Sequence, residues 1–286
     1  MMTTEIKHAA GTTQIPEVIE SAVALEYSFV DALVALDVNV TGVADDGDSA
    51  NLIDPIRNQV GDYVSAGERL NPDFDAIKKA EPQLIIADQD RHKDMYDDLT
   101  QIAPTILVKS FDANYNENLY AFRIIGKAVS KEDKAQEVMK QHEDKINDYK
   151  DQISLDTDQT TLPIVVTNDG VVAHSVKTYV GSFLESLGFK PALTKEVVEN
   201  SSEYMGADYL ELDYKQLSEV NPERLFIMVE DENSDEVKAL QNSEAWSHVD
   251  AVEKARAHFV NRETWAKFRG LVASEDIAKE ISELNE

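Results

Sequence analysis

Apolar and polar positions alternate along the chain in blocks that predict strands followed by helices. Residues 20–46, ESAVALEYSFVDALVALDVNVTGVADD, combine the apolar run VALEY, helical spacing through Phe29, Leu33 and Leu36, and a second apolar run, VNVTGVA. This order is typical of a βαβ unit, in which a helix connects two parallel strands. Residues 73–89, DFDAIKKAEPQLIIADQ, repeat it, with two aspartates where a helix begins and a buried-type strand after the proline.

The middle of the chain predicts one long helix. From about Asn114 to Ser154 there is no proline, and the apolar residues recur at helical spacing. After the polar run DTDQTT the α/β alternation resumes and continues to the closing segment SEDIAKEISELN. The sequence therefore predicts an α/β protein with an N-terminal lobe over 15–113, a connecting long helix over 114–155 and a C-terminal lobe over 160–286.

Composition agrees with a globular protein of two lobes. The chain has 286 residues, and this length exceeds the usual size of one domain. Of these residues 42% are hydrophobic and 29% are charged, as in a soluble globular protein. The absence of cysteine excludes disulfides, thiolate metal ligands and cysteine nucleophiles. The N-terminal residues are polar and contain no apolar segment of a secretion signal, so we expect either a cytosolic protein or one whose leader is absent from this sequence.

The formal net charge is −28, from 55 acidic and 27 basic residues. Such a surface repels polyphosphates and anionic lipid headgroups, so nucleic acid is not expected as a partner. We interpret the excess of acid as a solubility feature.

Arginine is scarce in the chain, and its placement is informative. Five of the eight arginines lie in predicted loops or at the ends of predicted elements: Arg57, Arg69, Arg91, Arg262 and Arg269. Arg91 follows the strand LIIADQ almost directly, and ligands of open α/β sheets bind at the carboxyl ends of the strands. Guanidinium groups bind carboxylates in a bidentate manner, so converging arginines would suit a polycarboxylate ligand. The alternative is that each arginine is a surface charge paired with a neighbouring acid.

Four further side chains in the C-terminal half are candidates for ligand contact. His174 follows the strand IVVTNDGVVA and could donate a hydrogen bond to an anion or bind a metal, although a single loop histidine more often does neither. Tyr204 and Tyr209 either bind a ligand through the phenol or pack at an amphipathic edge. Trp265 is either a stacking wall for the ligand or a core residue.

Sequence motifs of catalysis are absent. The chain has no GxSxG elbow, Walker loop, GxGxxG fingerprint or HExxH pair, and its six histidines do not have metal-ligand spacing. We therefore expect a binding protein and not an enzyme, with no directly bound metal and no cofactor.

Three ordered segments of the first half, LEYSFVDALVALDVNVTGVADD, IRNQVGDYVSAGERLNPDFDAIKKAEPQLIIADQDRHK and QIAPTILVKSFD, resemble the siderophore-binding proteins of iron ABC importers. The segments VVAHSVKTYVGSFLESLGF, LELDYKQLSEVNPERLFIM and NRETWAKFRGLVASEDIAKE resemble the second half of the same proteins. The resemblance runs from about Ile15 to Leu284 and is strongest to the ferric citrate and staphyloferrin A receptors. It implies a class III periplasmic-binding-protein-like fold, with two α/β lobes joined by one long helix and a ligand cleft between them.

The resemblance also implies the ligand and the residues that contact it. The cargo is expected to be an anionic ferric siderophore of the carboxylate type, ferric citrate or staphyloferrin A-like, with iron present only as part of the chelate. The implied contacts are Arg57, Arg69, Arg91, His174, Tyr204, Arg262, Lys267 and Arg269, with Trp265 and Tyr209 as possible walls. Alternative cargoes on the same fold are a catecholate or hydroxamate siderophore or haem. A second alternative is a cytosolic α/β enzyme on a doubly wound sheet, which no motif supports.

Two positions depart from the staphyloferrin A receptor of this group. Asn168 stands where that receptor has a lysine, and Lys267 stands where it has an arginine. The first change removes a cationic contact and the second loses a bidentate fork. A ligand with fewer carboxylates, such as ferric citrate itself, is therefore favoured.

The resemblance implies an ABC permease as the protein partner. Family members dock on its transmembrane subunits through one acidic residue in each lobe. Asp75 occupies the first position, whereas Lys215 occupies the second, so Glu211 or Glu219 is expected to substitute. The native protein is expected to be an extracytoplasmic, monomeric lipoprotein, with the signal peptide and the lipobox cysteine missing from this sequence.

Overall fold

The computed structural model describes residues 1–194 and 208–286, which form two compact units. Unit 1 comprises Met1–Asp148 together with Lys267–Asp276, and unit 2 comprises Tyr149–Ala266 together with Ile277–Glu286. The predicted α/β class is confirmed. The segment Lys267–Asp276, which was expected in the C-terminal lobe, instead packs within unit 1.

Unit 1 is built on a parallel sheet. Its described strands are β1 (Thr3–His8), β2 (Gly11–Pro16), β3 (Ala22–Ala24), β4 (Val40–Val43), β5 (Val64–Ser65), β6 (Leu84–Asp88) and β7 (Thr105–Val108). The last five form one sheet in the order β5-β4-β3-β6-β7, with every described pairing parallel. Because such a sheet is covered on both faces, β6 is buried along its whole length, as its apolar sequence predicts.

Helices cover this sheet. They are α1 (Tyr27–Ala35), α2 (Asp54–Val60), α3 (Phe74–Lys79), α4 (Tyr96–Thr100), α5 (Tyr115–Ala128) and α6 (Glu132–Asp151), with short 3-10 turns at Ser49–Asn51 and Lys93–Met95. Asp73 accepts a hydrogen bond from the backbone N–H of Ala76 and so caps α3, where the sequence predicts a helix start. The apolar stripe of α1, which includes Phe29 and Leu33, is buried in the core of unit 1.

The predicted single helix over 114–155 is two helices, α5 and α6. The chain turns at Ser130, whose φ is +57°, and the backbone N–H of Lys131 then bonds to the carbonyl of Gly126. The ammonium group of Lys131 donates to the carbonyls of Leu36 and Asp37 just after α1. The break is therefore fixed by contacts with α1, which lies far away in the sequence.

Unit 2 contains a mixed sheet. Its described strands are β8 (Thr160–Val166), β9 (Gly170–His174), β10 (Lys190–Pro191), β11 (Tyr209–Asp213), β12 (Arg224–Val229) and β13 (Ala257–Asn261). The order is β11-β9-β8-β12-β13, with β10 paired to β8. Strands β8, β12 and β13 are parallel, whereas β9 runs antiparallel to both β8 and β11.

The described helices of unit 2 begin after the antiparallel pair. They are α7 (Tyr179–Ser186), α8 (Tyr214–Val220), α9 (Asp235–Asn242) and α10 (Asp250–Glu253), with a 3-10 turn at Ala245–His248. A π-helical turn (Glu263–Phe268) and helix α11 (Leu271–Ser282) each contribute residues to both units. In the described parts of the chain, no helix is both long and apolar enough to cross a bilayer.

Candidate functional site

The strand order of unit 1 places a binding site at one edge of its sheet. The chain passes from β3 to β4 and β5 on one side, and then returns to β6 and β7 on the other side. The adjacent carboxyl ends of β3 and β6 therefore form a topological switch point, where ligands of open α/β sheets bind. Glu26 lies two residues after β3, and Arg91 lies three residues after β6.

Three of the five singled-out arginines converge at this switch point. We call Arg69, Arg91 and Arg269 the arginine cluster. Arg91 Nη1 lies 3.2 Å from Glu26 Oε1, and Arg69 Nη1 lies 3.8 Å from Glu26 Oε2. Arg269 is near enough for its charge to act on the same carboxyl. Glu26 itself is fully buried, so a single buried acid lies among three guanidinium groups.

The guanidinium groups rest on aromatic rings. The guanidinium carbon of Arg69 is 4.0 Å from the ring centre of Tyr27, and those of Arg91 and Arg269 are 4.2 and 5.8 Å from the ring centre of Phe111. Cations near aromatic faces are attracted to the ring quadrupole. The rings therefore orient the cluster while leaving the guanidinium edges to polar partners.

Nη1 of Arg69 and Oε2 of Glu26 are buried at this site and make no hydrogen bond within the described residues. Asp46 accepts from Nε of Arg69 at 3.0 Å, which accounts for one side of that guanidinium. Buried donors normally make hydrogen bonds, so a guanidinium nitrogen that has an ion pair at 3.8 Å but no hydrogen bond points to a ligand acceptor.

Asp88 fixes the two loops that carry Arg91 and Phe111. One of its carboxylate oxygens accepts from the backbone N–H groups of Asp90 and Arg91, and the other accepts from those of Ser110 and Phe111, all within 2.9 Å. The carboxylate is fully buried at the end of β6. It thus ties the end of β7 to the end of β6 and positions the arginine on its ring.

His92 connects the same strand end to the loop that carries Arg69. Its Nδ1 accepts from the backbone N–H of Asp88 at 2.7 Å, so Nε2 donates to the carbonyl of Arg69 at 2.6 Å. Burial lowers the pKa of His92 below its usual value of 6.5. The neutral ring is therefore favoured, and it joins two arginine-bearing loops.

Arg269 is brought to the cluster by a close packing of Gly270 against α1. Gly270 has no side chain, and a Cβ atom there would overlap the carboxyl group of Asp31. Asp31 accepts hydrogen bonds from the backbone N–H groups at the start of α11. Arg269 itself has φ +59°, a left-handed conformation that is uncommon outside glycine.

Burial dominates the titration of Glu26. Desolvation raises its pKa above the usual value of 4.5, and the positive charges of Arg91, Arg269 and Arg69 oppose that rise only in part. Asp88 adds to it as a like charge. An anion bound to the same arginines would, like Asp88, raise the pKa of Glu26 further.

Arg57 belongs to unit 1 but lies apart from these contacts. Its guanidinium group donates to the carbonyl of Leu52 and pairs with Asp54, and its side chain is 39% exposed. Both partners lie within five residues of Arg57 in the sequence. The structure therefore gives Arg57 the environment of a surface charge, which was one of the two alternatives for each arginine.

In unit 2 an open pocket of about 420 Å³ lies at the carboxyl ends of β8 and β12. Its polar lining includes Asn168, Glu230, Asp231 and Arg262. The buried Nε of Arg262 makes no hydrogen bond within residues 1–194 and 208–286. This arginine is thus the cationic group of a second strand-end site, one that also carries acids.

The other candidates of unit 2 lie elsewhere. His174 and Tyr209 are paired across β9 and β11, with their rings 4.9 Å apart and edge to face. They do not line the pocket that contains Arg262. Tyr204 lies outside the described residues. Lys267 is half-buried in the π-helical turn and belongs to unit 1.

Trp265 is a core residue. It is fully buried, and its ring lies 4.8 Å from that of Phe226 on β12. A side chain with no exposed surface presents no face to a ligand. The structure therefore gives Trp265 the environment of a core residue, which was one of its two alternatives.

The residues expected to dock a permease are exposed. The side chain of Asp75 is 90% exposed in the first turn of α3, with Lys78 at 4.0 Å. Glu211 is exposed on β11, between the buried Leu210 and Leu212. Lys215 is also exposed and lies 4.0 Å from Glu219. Each of these acids is therefore accessible to a partner.

The supporting residues of the arginine cluster were missed from the sequence. Glu26, Asp88, His92 and Phe111 act through burial and backbone contacts, which short motifs do not reveal. The available signal was a charged residue inside the apolar run VALEY. Among the described side chains there is no group of three or more potential metal ligands. The three guanidinium groups, and not that absence, suit the cluster to an anion.

Comparisons with known proteins show the family to which this fold belongs. A family model described as "Periplasmic binding protein" matches residues 22–259. The Fe(3+)-citrate-binding protein YfmC of Bacillus subtilis (strain 168) is 34% identical over 274 residues, covering 95% of this chain and 82% of that protein. The Fe(3+) dicitrate-binding periplasmic protein FecB of Escherichia coli (strain K12) is also 34% identical, covering 94% of this chain and 85% of that protein.

Solved structures show the same fold. The crystal structure of Staphylococcus aureus SirA complexed with staphyloferrin B has a TM-score of 0.82 and 24% identity, covering 98% of each chain. This likeness is evidence of fold. Together with the curated relatives, it agrees with the resemblance drawn from the sequence.

Proposed function

The chain belongs to the periplasmic binding protein family, and from this premise we propose that it captures an anionic ferric chelate of the carboxylate type, ferric citrate above all. In this role it is the substrate-binding component of an ABC importer. Ferric ion arrives already wrapped by the chelator, and the protein recognises the chelate without ligating the metal. No cofactor takes part.

The arginine cluster is the observation that carries this proposal. Three of only eight arginines meet at one sheet edge of a protein whose net charge is −28. Charges within about 4 Å outweigh those beyond a Debye length of about 8 Å, so the cluster attracts an anion despite the acidic surface. Guanidinium forks bind carboxylates in a bidentate manner. A polycarboxylate chelate presents more carboxylates than a catecholate or haem does.

Two relatives support citrate in particular. YfmC and FecB are each named for ferric citrate and each share 34% of their aligned residues with this chain. The exposed Asn168 in the pocket of unit 2 agrees with a ligand that needs fewer cationic contacts. Arg57, Arg262, His174, Tyr204, Tyr209 and Lys267, which the resemblance implies as ligand contacts, stay predictions.

Calorimetric titration tests the cargo. The purified protein is titrated in parallel with ferric citrate, ferric staphyloferrin A, a ferric catecholate, haem and iron-free citrate. Calorimetry is preferred to fluorescence because both tryptophans, Trp246 and Trp265, are buried in unit 2. Tight binding of a ferric carboxylate alone supports the proposal, whereas a preference for haem or the catecholate overturns it.

The partner and the location follow from the same proposal. We place the protein outside the cytoplasm, as FecB is periplasmic by name, and tethered there as a monomeric lipoprotein that delivers its chelate to a permease. Asp75→Ala and Glu211→Ala are expected to leave chelate binding unchanged while lowering iron uptake by cells. Uptake equal to wild type in the double variant would exclude docking through these acids.

A further inference from the structure

Glu26 is an unusual residue to find in the middle of a site for anions. It has no exposed surface, and its carboxylate faces Arg91 at 3.2 Å and Arg69 at 3.8 Å. Only Oε1 accepts a hydrogen bond among the described contacts, while the buried Oε2 accepts none there. A buried carboxylate with so few hydrogen bonds is poorly compensated for its loss of water.

The charges that face Glu26 come from every loop around it. Arg91 follows β6, Arg69 follows β5 and Arg269 precedes α11, and all three favour an ionised carboxylate. Asp88 at the end of β6 opposes ionisation. Asp46, after β4, shares Arg69 with Glu26. The Tyr27 and Phe111 rings beside the guanidinium groups supply no charge.

A polycarboxylate bound to these arginines changes this balance. It takes up guanidinium donors that Glu26 now shares and places additional negative charge beside a buried acid. Like charges in a low-dielectric site cannot all remain ionised without a large cost, and the buried member is the one that is neutralised. Burial already raises the pKa of Glu26 in the ligand-free protein, which brings that step within reach.

We propose that Glu26 is an internal counter-ion: it pairs with Arg69, Arg91 and Arg269 in the empty protein and takes up one proton from solvent when an anionic chelate replaces it. This inference rests on the proposed function and concerns the same site. The proton comes from the buffer and is bound by the Glu26 carboxylate, and no bond of the chelate is broken. Glu26 thereby keeps the arginines preorganised and offsets part of their positive charge while the site is empty.

The consequence is a selective and pH-dependent site. A ligand must supply more negative charge than Glu26 alone in order to replace it, which favours polycarboxylates over singly charged anions. Between the pKa that Glu26 has in the empty protein and the higher pKa that it has beside the bound chelate, the Kd for the chelate rises by up to about tenfold per pH unit, because binding takes up a proton in that range. Glu26→Gln removes this dependence and binds more tightly than wild type at high pH.

The experiment is calorimetric titration of wild type and Glu26→Gln with ferric citrate, across the pH range in which both remain folded and in two buffers of different ionisation enthalpy. The buffer comparison gives the number of protons taken up. Ferric citrate has its own protonation equilibria, and these cancel when the two proteins are compared with the same ligand. The expected result is uptake approaching one proton in wild type over part of that range, and less in Glu26→Gln by that amount.

Each outcome decides between the two proposals. Binding with equal proton uptake in both proteins at every pH overturns the counter-ion and leaves the proposed function intact. Failure of wild type to bind any ferric carboxylate overturns both. If Glu26→Gln does not fold in a thermal melt, infrared difference spectra of wild type decide instead: a protonated-carboxyl band must appear when chelate is added.

Discussion

Asp31 Oδ1 accepts a hydrogen bond from the backbone N–H of Val272 at 3.1 Å, although the two residues are 241 positions apart in the chain. Asp31 Oδ2 accepts from the backbone N–H of Ala273 at 3.2 Å. A carboxylate at the start of a helix satisfies N–H groups that have no partner within the helix. A residue of α1 therefore caps α11 and holds Arg269, which immediately precedes Gly270, at the arginine cluster.

Removal of this cap is expected to destabilise unit 1. Asp31→Ala leaves two buried N–H groups without an acceptor, so the free energy of unfolding should fall by about 1–3 kcal/mol. Chemical denaturation measures the loss. Asp31→Asn is the matched control, since its amide oxygen can still accept, and it should lose less. A variant Asp31→Ala as stable as wild type would show that the cap contributes nothing.

The same residue makes stability depend on pH. Burial raises the pKa of Asp31 from its usual 3.8 to about 7, against the opposing hydrogen bonds from Val272 and Ala273. The folded state therefore binds the proton more tightly than the unfolded state does. As the pH rises from 3.8 towards about 7, the free energy of unfolding of wild type should fall relative to Asp31→Asn, by at most about 1.4 kcal/mol per pH unit. Parallel pH profiles of the two proteins would contradict the raised pKa.

Truncation of single members of the arginine cluster should weaken chelate binding. Arg91→Ala and Arg269→Ala are each expected to cost about 1.5–3 kcal/mol in binding free energy, as for a hydrogen bond to a charged group, with little effect on the fold. Arg123→Ala is the matched control, because Arg123 is an exposed arginine on α5 of the same unit. Unchanged affinity in both cluster variants would exclude the site.

A comparison of Arg57 with Arg69 separates the sequence-based assignment from the structural one. The resemblance predicts ligand contact for both, whereas only Arg69 belongs to the cluster and has a buried nitrogen without a hydrogen bond in the described structure. We expect Arg69→Ala to weaken ferric citrate binding markedly and Arg57→Ala to change it by less than about 1 kcal/mol, as for an exposed ion pair. Equal losses in titrations of the two variants would place Arg57 at the ligand.

Trp265→Ala should act on stability. Loss of a fully buried tryptophan typically costs about 3–5 kcal/mol, because it leaves a cavity against neighbours such as Phe226. A thermal melt should show a lower midpoint. Titration below that midpoint should give a chelate affinity close to that of wild type. A loss of affinity with an unchanged melting midpoint would show instead that Trp265 contacts the ligand.

Much of this site could be predicted because it follows from strand ends. Arg91 was placed correctly from the apolar run before it, since the carboxyl ends of parallel strands are where such sheets bind ligands. Glu26 could not be selected in the same way, because one acid among 55 carries no signal until its burial is known. The roles of Asp88 and His92 depend on backbone groups from other loops, and no pattern of residue types encodes those distances.

Two elements of the fold were also hidden from the sequence. The turn at Ser130 interrupts a region of good helix formers, and its cause is the contact of Lys131 with the end of α1. The hairpin β1–β2 was not predicted, because only Ile6 and Ile15 point to the core from two otherwise polar strands. Short polar hairpins show little alternation of apolar and polar residues, so the sequence does not reveal them. This hairpin is held by contacts such as the hydrogen bond from the backbone N–H of Ala9 to the carbonyl of Leu107.

Because Lys267–Asp276 belongs to unit 1, that unit cannot finish folding until this late segment of the chain has been synthesised. During synthesis the N-terminal unit emerges first, and domains generally begin to fold in that order. Asp31, however, can meet Val272 only after the residues up to Val272 have left the ribosome. The ligand-binding edge of the first unit is therefore completed last, so a ribosome-bound nascent chain that ends before residue 267 lacks one of its three arginines.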